Sequence, residues 1–73
     1  MLHTEMTKKE QEIYQFIVDY RKRFNSSPSL REISKGVNLY SHSTASYHVN
    51  IMVEKGILTR RPGKANSICP VAE

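Results

Sequence analysis

Apolar positions recur at helical spacing in three successive stretches of the chain, which then gives way to two short strand-like runs around a Pro-Gly turn. The first stretch opens with Thr7-Lys8-Lys9-Glu10. In that pattern the threonine hydroxyl accepts from the Glu10 amide, and the Glu10 carboxylate returns to the threonine amide. Behind it Ile13, Phe16, Ile17, Tyr20 and Phe24 form one broad stripe of a helix reaching about Phe24, widened by Tyr14 and Val18. We expect this stripe to pack inside the domain, against a neighbouring sheet, rather than on a partner. Arg21, Lys22 and Arg23 complement the helix dipole in the last turn. Asn25 tolerates the left-handed conformation and Pro28 disfavours helix at Ser27, so the helix ends there.

Ser29-Leu30-Arg31-Glu32 repeats the capping pattern and starts a short helix, Leu30 to Lys35, with Leu30 and Ile33 inward. Gly36 is expected to close it with a positive φ. A turn from Val37 to Tyr40 tucks Val37 and Leu39 into the core, and Ser41 caps a third helix that runs from His42 to about Lys55 and stops at Gly56. On that helix Ala45, Val49 and Met52 share one face, while Ser43, Tyr47 and Asn50, with Ser46 beside them, share the other. Ile57 to Arg61 and Asn66 to Val71 read as strands around Pro62-Gly63-Lys64-Ala65. The expected fold is therefore mainly α with a small β-hairpin. A short second helix and tight turn place the third helix across it, as in a helix-turn-helix, and the hairpin serves as a wing. Residues 1–6 are expected to be a flexible lead-in, 7–71 the domain and 72–73 its end.

Length bounds the core to a few side chains in depth: 73 residues make one small domain. Eleven Lys and Arg against seven Asp and Glu give a net charge of +4. Its distribution says more than its size. No Asp, Glu, Lys or Arg falls between Val37 and Val53, and after Glu54 come Lys55, Arg60, Arg61 and Lys64 with no acid until Glu73. A neutral helix face of hydroxyls, a phenol and an amide, flanked by cations, suits a polyanion and the donor–acceptor edges of base pairs. We therefore expect the third helix to lie against double-stranded DNA. Arg60, Arg61 and Lys64 on the wing would meet the backbone, joined by Asn50 and by Arg31 and Lys35 of the second helix.

Other chemistry is thinly represented. The single Cys69 reads as a small apolar residue in a late strand. His3, His42, His48 and Cys69 lack paired-ligand spacing, so no metal or other cofactor is expected, and His48 reads as a packed histidine at the core's rim. No small-molecule ligand is evident. No apolar run approaches the ~20 residues of a membrane span, and no leader pattern is present, so a cytoplasmic setting is expected. No reactive constellation of Ser, His, Cys or acid appears, and no enzyme is expected.

The chain resembles the N-terminal winged helix-turn-helix domain of LexA-type repressors. The residues that carry the likeness are Thr7 with Glu10 and Gln11, then SPSLREIS ending at Ser34, Gly36, YSHSTASYHVNIMVEKGIL from Tyr40 to Leu58, and Arg60, Arg61 and Pro62. Together they span roughly Thr7 to Ile68. The resemblance implies a sequence-specific repressor domain, from a bacterial or mobile-element setting, whose third helix enters the major groove. Family base-reading positions fall on Ser41, Ser43, Thr44, Ser46 and Tyr47. Some lineages carry acidic or amide side chains where this chain has Ser43, Ser46 and Tyr47, so the half-site read here is expected to differ. LexA-type repressors continue into a dimerising, self-cleaving domain with a Ser-Lys dyad. This chain shows no such dyad, so proteolytic induction is not carried over, and it fits either an excised domain or a complete small regulator. A homodimer on paired half-sites is one arrangement such a module can use. The competing class is a winged-helix protein-interaction module binding another regulator or a replication protein. That class calls for exposed large apolar groups near the third helix, where only Tyr40 and Tyr47 qualify.

Overall fold

Hydroxyl side chains start all three helices. The computed structural model describes residues 6–61 and 67–71. Helix α1 (Lys8–Phe24) opens on Thr7, whose Oγ1 accepts from the Glu10 amide at 3.2 Å while Glu10 Oε1 accepts from the Thr7 amide at 3.1 Å. Helix α2 (Leu30–Gly36) opens on Ser29, paired in the same way with Glu32 at 3.2 and 2.9 Å. Helix α3 (His42–Glu54) opens on Ser41, whose Oγ accepts from the Thr44 amide at 3.4 Å. Each cap satisfies a helix-end donor that has no partner inside the helix.

The helix ends are equally local. Asn25 closes α1 at φ 56°, as expected. Helix α3 ends in a Schellman motif: Gly56, at φ 81°, donates to the Val53 carbonyl at 3.0 Å, and Ile57 donates to Met52 at 2.9 Å. The same motif ends α2, but Asn38 and not Gly36 takes the left-handed conformation, at φ 58°. Leu39 donates to the Ser34 carbonyl at 2.8 Å to complete it. Gly36 is still helical, and the expectation of a positive φ there is corrected. Its lack of a side chain has another cause: a Cβ on Gly36 would run into the ring of Phe16.

Strands β1 (Leu58–Thr59) and β2 (Cys69–Pro70) pair antiparallel, Leu58 with Pro70 and Thr59 with Cys69. The ladder is shorter than the expected runs. The Ile57 amide is spent closing α3, so Ile57 joins the hairpin through its carbonyl alone, which accepts from the Val71 amide at 3.0 Å, and the Arg61 amide is held by the Ser67 side chain instead. The expected turn at 62–66, with Lys64, lies outside the described residues.

Ile13, Ile17, Ile33, Val37, Ala45, Val49, Met52, Leu58 and Ile68 make one core, drawn from all three helices and the hairpin. Helix α1 packs on the hairpin and on both other helices, so its stripe is internal, as the spacing predicts. Phe24 departs from it and is 57 % exposed at the helix end. It stacks on Tyr20 with ring centroids 4.6 Å apart.

Candidate nucleic-acid interface

Helix α3 is oriented by burial. Ala45, Val49 and Met52 are fully buried, which turns Ser43, Tyr47 and Asn50 outward, all exposed. Thr44 and Ser46 flank that face half-buried, and Ser41 stands exposed at its start. Tyr47 is 64 % exposed, with its ring edge-on to His48 at 5.6 Å. Tyr40, on the turn before α3, is wholly in solvent. His48 is half-buried at the core's rim.

Two cations sit beside this face on the wing. Arg60 donates through a terminal guanidinium nitrogen to Asn50 Oδ1 at 3.0 Å, tying the wing to the exposed face of α3. Arg61 is exposed. Its amide donates to Ser67 Oγ at 2.9 Å, and Ser67 Oγ donates back to the Arg61 carbonyl at 3.3 Å, which fixes the two legs of the wing together. From α2, Arg31 reaches a cleft shared with His42 and Arg60. Lys35 is exposed at the opposite end of α2, away from that cleft. The structure thus gathers Ser43, Tyr47, Asn50, Arg31 and Arg60 around one surface.

Lys55 behaves differently from the other cations after α3. The sequence groups it with Arg60, Arg61 and Lys64, but in the fold its Nζ lies 2.9 Å from Oε1 of Glu10, which is 3 % exposed. Burial pushes the Glu10 carboxyl up. The Lys55 ammonium and the Thr7 amide outweigh this and hold it below the usual carboxylate range, with a smaller contribution from His48. The pair joins the start of α1 to the end of α3, a link no local pattern announces. Glu32 is occupied in a similar way. The Ser29 amide and the Tyr20 hydroxyl, which donates at 2.8 Å, hold its carboxyl low, and Glu32 in turn pushes the Tyr20 phenol up. Both carboxylates are thereby committed to helix starts and kept off the α3 surface.

A helix-turn-helix whose second helix presents a neutral polar face beside a basic wing defines a winged-helix DNA-binding domain. The chain matches the LexA DNA binding domain over residues 3–67 and belongs to that family. It is 39% identical over 69 residues to the LexA repressor of Staphylococcus epidermidis, covering 94% of this chain and 34% of that protein. Against the LexA repressor of Clostridium perfringens it is 34% identical over 68 residues, covering 93% of this chain and 34% of the relative. The chain spans about one third of the length of these relatives. Among the described residues no helix is long and apolar enough to cross a membrane.

Proposed function

We propose that the chain binds double-stranded DNA sequence-specifically and acts as a repressor. Helix α3 would enter the major groove, with Ser41, Ser43, Thr44, Ser46 and Tyr47 at base edges. Arg31, Lys35, Arg60, Arg61 and Lys64 would meet the backbone, and Asn50 would act through Arg60. One observation carries the reading: an exposed helical face free of charge, held between cations, in a member of the LexA DNA-binding family. The names of the relatives support repression.

Serine, threonine and tyrosine hydroxyls both donate and accept, so each discriminates weakly. Specificity then rests on several modest contacts together with DNA shape. A single small module binds weakly, and pairing on two half-sites would raise affinity through linkage. A cytoplasmic setting and the absence of catalysis follow from the same reading. Among the described residues around α3 the exposed large side chains are Tyr40 and Tyr47, few for a protein-docking surface, which favours DNA.

Selection of duplexes from a random pool by the purified protein tests the proposal. A recovered motif, lost on Ser43→Ala with Tyr47→Ala while the far-ultraviolet circular dichroism is kept, supports it. A variant that recovers the same motif as the wild type would move the base-reading surface elsewhere.

A further inference from the structure

Three elements contribute one nitrogen-donor side chain each to a single open cleft of about 290 Å³. Arg31 comes from α2, His42 from the first turn of α3 and Arg60 from the segment after β1, with Ser29 and Leu30 completing the walls. Among the described residues no carboxylate lines it. The acid of α2 nearest in sequence, Glu32, is spent on the Ser29 amide through Oε1 and on the Tyr20 hydroxyl through Oε2. The first acid of α3 is Glu54, its last residue. Asn50 takes one N–H of Arg60 and leaves the rest of the guanidinium fork to donate elsewhere. His42 is exposed.

Two guanidinium groups and an imidazole around one small volume are the donor set for a tetrahedral oxyanion. We propose that this cleft seats one phosphodiester of the DNA backbone, and that His42 donates to it as imidazolium, so that the protein takes up a proton as it binds. This rests on the DNA reading above and adds a residue and a proton to it. Histidine is the side chain whose ordinary titration falls between about pH 5 and 8. A seated phosphate favours the charged ring, so the added affinity is complete at the acid end of that range. It falls as pH rises. One linked proton changes affinity by at most about tenfold per pH unit.

Fluorescence anisotropy with a labelled duplex, at one low salt concentration and at about pH 5.5 and about pH 8, tests this. Wild type should bind severalfold tighter at the acid pH. His42→Gln should remove most of that gain and leave affinity at the alkaline pH within about twofold, while His48→Gln keeps the gain. A gain that survives His42→Gln, with binding intact, overturns the seat and leaves the DNA reading standing. Wild type that binds no duplex at either pH overturns both. The source of the anion is tested by resonance shifts in the isotope-labelled protein. Shifts at His42 and Arg60 on adding duplex support the proposal. Shifts with inorganic phosphate alone, and none with duplex, assign the cleft to a free anion and overturn it.

Discussion

Gly36 and Phe16 are twenty positions apart in sequence, yet the ring of Phe16 occupies the space a Cβ on Gly36 would need. Glycine is here a packing requirement, set by α1 and not by the turn. Gly36→Ala gains helix propensity but forces the ring aside, and overpacking of this kind costs about 1–3 kcal/mol. We expect a net loss in urea unfolding, largely recovered in the double variant Gly36→Ala/Phe16→Leu. Additive effects in that cycle would show that the two sites do not touch. Glu10 is the second residue whose part is set at a distance. Its acidity is raised on folding, so the stability it adds is present above its unfolded pKa and is lost as pH falls through its lower folded value. Lys55→Met would leave a buried carboxylate without its counter-ion. We expect a loss of about 1–3 kcal/mol at neutral pH, less than for a fully buried pair because the ammonium keeps contact with water. The midpoint of acid unfolding should move to higher pH, since burial then dominates the Glu10 carboxyl. An unchanged midpoint would show that the Thr7 amide alone holds it.

At the scale of the elements, α3 and the wing act as one surface because Asn50 and Arg60 are joined. Asn50→Ala should weaken binding to all duplexes by about 0.5–1.5 kcal/mol, and by less than Arg60→Ala does. If Asn50→Ala is the costlier of the two, its amide touches DNA itself. The caps of all three helices, the outward face of α3 and the glycine stop at Gly56 were readable from spacing, because each depends on residues within one or two turns. The strands were overestimated for a related reason. The Pro-Gly turn marked the runs, but the Ile57 amide is taken by the end of α3 and the Arg61 amide by the Ser67 side chain, which limits the ladder. Phe24 lay on the apolar stripe by periodicity and still ended in solvent, because α1 outruns the elements that cover it.

For the molecule as a whole, salt dependence is the informative quantity. If Arg60, Arg61 and Lys64 each neutralise one phosphate, these three contribute ~−2.7 per monomer to the slope of log affinity against log salt. Arg60→Gln with Arg61→Gln should reduce its magnitude by ~1.8. An unaltered slope in that double variant would remove the wing from the backbone. The domain's outline and its helix faces, including the outward face of α3, could be read from the sequence, since capping and amphipathic period act between near neighbours. The Glu10–Lys55 pair, the contact of Phe16 with Gly36, and the meeting of Arg31, His42 and Arg60 could not be read that way. Each joins residues from different helices or the wing, and a linear pattern carries no record of which distant side chains folding brings together.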